Sequence, residues 1–194
     1  MTPFTTVSGS AFALPEDDID TDVIYPARFL LRTEKLGLGN LAFADRADLR
    51  ARIDAPDENP ILVAGANFGC GSSREHAVWT LADAGFRAIF APSFGEIFRS
   101  NCTNNGVLAG LVGEADHLAL MTAAQAGTVL EVDLANTTVH FGGTAIRFSI
   151  SDVDRRMLLE GWNATTRILA LHREDITAFE GRQRHAAPWL WTKG

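Results

Sequence analysis

The chain has little of what marks a metalloprotein, a disulfide scaffold or a membrane protein. It has two cysteines, Cys70 and Cys102. That is too few for a disulfide framework, and fewer than the three or four thiolates that hold an ordinary iron–sulfur cluster. Their default reading is as small apolar thiols in a reducing compartment. The five histidines show no i, i+4 pair or other metal-ligand spacing, so no metal is expected on this chain. No apolar run has the length of a membrane span: Gly106 to Gly113 is among the most apolar stretches and is far too short. The first 27 residues contain neither Lys nor Arg, so neither a secretory signal nor an Arg-rich transit peptide is expected, and the chain reads as cytoplasmic. Positive charge is also scarce. The 17 Lys and Arg against 24 Asp and Glu leave −7, with the basic residues dispersed, which argues against a nucleic-acid surface. An anionic ligand must then be drawn by a local basic pocket. Repeats and low-complexity tracts are absent. So are the Walker loop, the Gly-x-Gly-x-x-Gly fingerprint and the Gly-x-Ser-x-Gly elbow.

What is present is globular. With 194 residues, 46% hydrophobic and 21% charged, the chain is expected to form one domain, residues 1–194, with a real core. Ile61-Leu62-Val63-Ala64 after Pro60 reads as a buried strand. Beyond it, Ala77, Val78, Leu81 and Ala84 fall at helical spacing, with Gly85 as C-cap. Ala88-Ile89-Phe90 reads as a second strand, completing a βαβ unit and favouring a parallel sheet with a right-handed crossover. Between strand and helix lies Gly69-Cys70-Gly71-Ser72-Ser73-Arg74-Glu75-His76-Ala77. Ser72 and Glu75 match a capping box, with Ser72 at the N-cap. A helix start welcomes carboxylate or phosphate. Gly65, Gly69 and Gly71 let a ligand approach the backbone, and Arg74 adds a planar fork of donors suited to a carboxylate. The plainer reading stands beside this one: Ser72 and Glu75 only close a helix end, an effect of about 1 kcal/mol.

Elsewhere the reading is coarser. The segment up to Leu14 contributes an early strand, and Pro15 to Asp22 is an acidic turn. Asp18, Asp20 and Asp22, two apart, share a face if extended, where they bind a cation, position basic groups or simply meet solvent. Val23-Ile24-Tyr25 reads as a strand stopped by Pro26, Arg28 to Asn40 as a partly ordered, mobile loop, Leu41 to Ile53 as a helix and Asp54 to Pro60 as a connection. Phe94 to Ser100 is a short helix, Asn101 to Gly106 a polar turn and Glu114 to Ala126 a helix. Thr128 to Leu134, Val139 to Phe141 and Ala145 to Ile150 make the C-terminal half β-rich and antiparallel. Helices at Asp152 to Glu160 and Asp175 to Arg184 follow, then a docking or flexible tail, 186–194. His76 reads as a structural, hydrogen-bonding histidine.

Gly65-Ala66-Asn67-Phe68-Gly69-Cys70-Gly71-Ser72-Ser73-Arg74-Glu75-His76-Ala77 closely resembles the signature of the aconitase-superfamily swivelling domain, in particular the separate small subunits of isopropylmalate isomerase (3-isopropylmalate dehydratase). The segments Asp18 to Leu30, Phe86 to Phe90, Phe94 to Leu108, Leu158 to Gly161 and Ala178 to Glu180 match that family in the same order. The resemblance implies an α/β fold: a single swivelling β/β/α domain with a parallel βαβ core. It implies Ser72 as catalytic base, Ser73 and Arg74 as holders of substrate carboxylate, Asp22 near the active site, and Arg28, Arg32 and Lys35 in a loop that distinguishes substrates. A serine hydroxyl is a feeble base unless its alkoxide is stabilised, and helix amides with a guanidinium are suited to that. The implied reaction is isomerisation of 2-isopropylmalate to 3-isopropylmalate by dehydration and rehydration, in leucine biosynthesis. The implied partner is a large subunit carrying a [4Fe–4S] cluster, with no cofactor on this chain and a small-molecule dicarboxylate as substrate. Leu31-Arg32-Thr33-Glu34-Lys35-Leu36 and Gly161 to Arg167 depart from the family's usage. A homoaconitase or a methyl- or dimethylmaleate hydratase small subunit therefore stays open beside it, as does a non-catalytic anion-binding module.

Overall fold

The computed structural model describes residues 1–32, 34–53, 60–71 and 74–191. The connection expected at 54–60 therefore lies, apart from Pro60, outside the described residues. The chain opens with β1 (Thr6–Gly9) and β2 (Ala11–Leu14), then a one-turn helix α1 (Thr21–Ile24), two 3-10 turns (Ala27–Phe29 and Gly39–Leu41) and α2 (Ala47–Ile53). Next come β3 (Ile61–Ala64), α3 (Glu75–Asp83), β4 (Ala88–Ala91), α4 (Glu96–Asn104), β5 (Leu108–Leu111) and α5 (Glu114–Gln125). The last part holds β6 (Leu130–Asp133), β7 (Thr138–Phe141), β8 (Thr144–Arg147), α6 (Asp152–Glu160), α7 (Ala164–Leu171), α8 (Arg173–Ala186) and a 3-10 turn, Pro188–Trp191.

β2, β3, β4 and β5 form a parallel sheet in that order, with α3 and α4 as crossovers. Every residue of β2, β3 and β4 is buried, as a sheet covered on both faces requires. Alternation along the strand divides the core in two. Leu62 and Ile89 pack with Ile24, Leu81 and Phe98 on the helical side. Ile61, Val63 and Phe90 pack with Leu120, Val132 and Val139 on the other. That second side is closed by α5 and by an antiparallel sheet, order β1-β6-β7-β8. In β6, buried Leu130 and Val132 alternate with outward Glu131 and Asp133. The layering is antiparallel sheet, parallel sheet, helices: the β/β/α arrangement that the resemblance implied.

Local departures have local causes. Val23-Ile24 is not a strand, because Asp20 caps a helix there: its Oδ1 accepts from the Val23 amide at 2.8 Å. The helix expected from Leu41 begins only at Ala47, since Phe43 holds a left-handed backbone, φ +52°. Asn101 and Asn104 belong to α4, not to a turn. The C-terminal half has its three strands, but α7 was missed; Asn163 and Thr166 start it with a reciprocal capping box. In α7, α8 and the final 3-10 turn no residue is buried. The tail is anchored by the Arg184 guanidinium, 4.6 Å from the centre of the Trp191 ring; its last residues, 192–194, lie outside the described residues. Among the described residues no helix is long and apolar enough to cross a membrane.

Candidate functional site

The glycine-rich loop after β3 is strapped to the acidic turn before α1. Ala66 N donates to Asp17 Oδ1 at 2.6 Å, and Asp18 N returns a bond to the Ala66 carbonyl at 2.9 Å. Asn67 Nδ2 donates to Asp18 Oδ1 at 2.8 Å, Gly69 N to the Ile19 carbonyl at 2.7 Å, and Thr21 N to the Cys70 carbonyl at 3.1 Å. A second set ties the loop to the segment after β4: Asn67 N to Ser93 Oγ, Phe68 N to the Ser93 carbonyl and Gly95 N to the Phe68 carbonyl. The three aspartates do not share a face. Asp18 lies in the left-handed region at φ +57°, Asp20 caps α1, and Asp22 stands within α1.

Two of the glycines also serve neighbours rather than a ligand. A Cβ on Gly65 would sit 2.3 Å from the Glu16 carbonyl oxygen, and one on Gly69 (φ +73°) 2.2 Å from the Phe98 ring. Gly71, at φ +81°, meets only the Asp20 Cβ at 3.4 Å. Of the three, only Gly71 leaves its space open. With Asn67, Gly69, Cys70, Gly95, Glu96, Ile97 and Phe98 it lines a cavity of about 300 Å³.

Ser72 and Ser73 lie outside the described residues. The residue after them carries a correction. Arg74 has extended φ and ψ (−127°, 117°) and is itself the N-cap of α3, with no side-chain cap hydrogen bond. The helix therefore starts at Glu75, and Ser72 is not its N-cap. Glu75 is the first helical residue and not the third, and its Oε1 accepts from Asn105 Nδ2 at 2.8 Å. The Arg74 side chain, 19% exposed, pairs through Nη1 with Asp22 Oδ1, whose side chain is 48% exposed. Among the described residues the Nε–Nη2 edge of the fork has no partner, so the guanidinium is oriented by α1 and still has donors to offer.

The remaining basic candidates separate. Arg28 places both fork arms on Asp45, at 2.6 and 2.7 Å, and this pair holds the Asp45 carboxyl below its ordinary range. Lys35 lies over the Trp79 ring, 4.5 Å from its centre, and donates to Asn105 Oδ1 at 3.0 Å. Arg32 is exposed and, with Leu31, Glu34, Leu36 and Leu38, lines a cavity of about 270 Å³. Its carbonyl lies 3.1 Å from His76 Nε2, on the first turn of α3. Asp22, Arg74 and the backbone of Arg32 thus meet at one end of α3. His76 was read correctly as a hydrogen-bonding histidine. Tyr25 and Asn105, which brace the same helix, were missed: nothing in their sequence neighbourhood signals a long-range partner.

Burial raises both thiols: Cys102 is fully enclosed, and at Cys70 the Asp20 and Asp18 charges add to the effect. Neither is poised as a thiolate, and two thiols do not furnish a cluster site. Among the described residues no three His, Cys, Asp or Glu side chains converge on a possible metal position.

The aconitase C-terminal domain family matches residues 1–111. A 3-isopropylmalate dehydratase small subunit 1 of Chromobacterium violaceum is 40% identical over 98% of this chain and 94% of its own length. A 3-isopropylmalate dehydratase small subunit of Anaeromyxobacter sp. (strain K) is 41% identical, over 95% of this chain and 100% of its own. A crystal structure of 3-isopropylmalate dehydratase from Methanocaldococcus jannaschii superposes with a TM-score of 0.71 at 26% identity, covering 90% of this chain and 99% of that one.

Proposed function

The chain belongs to the aconitase C-terminal-domain family, among the small subunits of 3-isopropylmalate dehydratase, and on that footing we propose that it is the small subunit of a hydro-lyase that isomerises 2-isopropylmalate to 3-isopropylmalate in leucine biosynthesis. The observation that carries the reading is the extent of the likeness: about 40% identity, end to end, with subunits of that name. The chain acts as a single domain, in the cytoplasm, and is active only when a large subunit completes the cleft beside the loop after β3.

The residues divide the chemistry as follows. The substrate carries two carboxylates, and Arg74 anchors one of them with the fork edge that Asp22 leaves open; Ser73 assists. Ser72 removes the carbon-bound proton and returns it at the neighbouring carbon. Negative charge then builds on the substrate carboxylate, where a held guanidinium lowers the barrier by several kcal/mol. Arg32 faces the part of the substrate that differs between related acids. The large subunit carries a [4Fe–4S] cluster, which supplies Lewis-acid chemistry at the departing hydroxyl; the two thiols of this chain are too few to hold it.

The test is reconstitution with the large subunits of isopropylmalate isomerase, homoaconitase and dimethylmaleate hydratase. Each mixture is offered its own substrate and monitored for the unsaturated acid formed by loss of water. The expected result is turnover of isopropylmalate with the first partner alone. Turnover only of homocitrate or a methyl-substituted malate would transfer the chain to a sister enzyme, and binding of diacids without turnover in any mixture would make it an anion-binding module.

A further inference from the structure

Resting on the function proposed above, we propose that His76 is a positioning residue: it fastens the Arg32-bearing segment to α3 and thereby sets which alkyl-substituted diacid the assembled enzyme prefers. His76 stands two residues after Arg74, on the first turn of α3. The Arg32 carbonyl can only accept, so Nε2, 3.1 Å away, carries the proton. The ring that holds this donor is itself held. It stacks on Tyr25, with centroids 5.7 Å apart and planes 15° from parallel, and leans against Trp79 at 4.6 Å. Tyr25 is fully buried, and its hydroxyl donates to the Phe29 carbonyl at 2.8 Å. The imidazole therefore has little freedom to turn away from Arg32.

A second tie holds the same segment three residues on. Lys35 rests over the Trp79 ring and donates to Asn105, which donates to Glu75. Both ties end on the first turns of α3, at residues 75, 76 and 79. Flanking them stand Leu31 and Leu36, 95% and 83% exposed, the most exposed large apolar side chains among the described residues. They share a cavity of about 270 Å³ with Arg32. Two leucines kept in water beside a guanidinium, on backbone fixed to the helix that carries Arg74, suit an acid with a branched alkyl substituent. Without the Arg32 tie the leucines lose their fixed distance from Arg74, and discrimination by alkyl group falls with it.

The test uses two variants. His76→Phe keeps a flat ring between Tyr25 and Trp79 and removes the donor; His76→Gln restores a donor at a similar reach. In the full-length chain alone, backbone amide exchange at residues 31, 32 and 34–36 should rise about five- to tenfold in His76→Phe, the equivalent of one net hydrogen bond, and return toward the parent rate in His76→Gln. Unchanged exchange in His76→Phe would overturn the fastening. In the reconstituted enzyme, the preference for isopropylmalate over 2-methylmalate, as a ratio of kcat/KM, should fall about fivefold in His76→Phe with kcat nearly constant, and recover in His76→Gln. An equal loss on both substrates, or no rescue by Gln, would reduce His76 to a stability role. If the parent chain turned over no isopropylmalate with any partner, the proposed function would fail, while the exchange measurement would still decide the fastening.

Discussion

Arg74 is ordered by one neighbour and left open to another molecule. Asp22 takes Nη1, and both side chains keep some contact with solvent, so the pair itself adds little to stability, below about 1 kcal/mol. Asp22→Asn should accordingly leave the melting temperature nearly unchanged. In the reconstituted enzyme it should raise KM, because the fork is no longer aimed; steady-state kinetics on isopropylmalate check this. Arg74→Lys should raise KM about tenfold or more, since a point charge replaces a bidentate donor. At Gly69 the consequence is structural: a left-handed backbone and a Cβ that would lie 2.2 Å from the Phe98 ring make Gly69→Ala destabilising by about 2–4 kcal/mol. Denaturant unfolding measures it, and a loss under 1 kcal/mol would contradict the geometry.

At the scale of elements, the acidic turn is tied to α2 by one arginine. Arg46 bonds Glu16 at 2.7 and 2.8 Å and Asp48 at 2.8 and 3.1 Å. These bonds lower both carboxyl pKa values in the folded chain. A depressed folded pKa gives stability that is present above the unfolded value and lost as pH falls through the folded one. The melting-temperature difference between the parent and Arg46→Ala should therefore be present at pH 7 and shrink below about pH 4, where the carboxyls protonate in both chains. A difference independent of pH would show that Arg46 acts by packing alone. Elements were also where the sequence was most and least legible. The βαβ unit declared itself because Ile61-Leu62-Val63-Ala64 and Ala88-Ile89-Phe90 are apolar on both faces, and a helical stripe separates them. Val23-Ile24-Tyr25 misled, because three apolar residues fit a strand as well as a buried turn of helix, and the deciding group, Asp20, lies outside the run. The helix start at Glu75 misled too: the capping-box pattern at Ser72 is local, whereas the pull of Asp22 on Arg74 comes from 52 residues away. Of the groups brought together at the start of α3, Arg74 and Asp22 stood out in the sequence as candidates, and His76 as a hydrogen-bonding histidine. The supports given by Tyr25, Asn105 and Trp79 could not, since only the fold brings them together.

At the scale of the molecule, the loop after β3 is held between the acidic turn and the segment that leads into α4, and in the proposed function a large subunit completes the cleft beside it. The net charge of −7 gives no general attraction for a dicarboxylate, so binding depends on donors assembled locally. The chain alone should therefore produce no unsaturated diacid at any substrate concentration, and activity should appear only with the large subunit. The most direct measurement is turnover of isopropylmalate by the reconstituted pair carrying Ser72→Ala, with subunit association followed in parallel by sedimentation. The expected result is association like that of the parent and turnover lower by at least about a thousandfold, the size of loss that follows when the group that moves the proton is removed. An Ser72→Ala pair that associates and keeps parental turnover would contradict it.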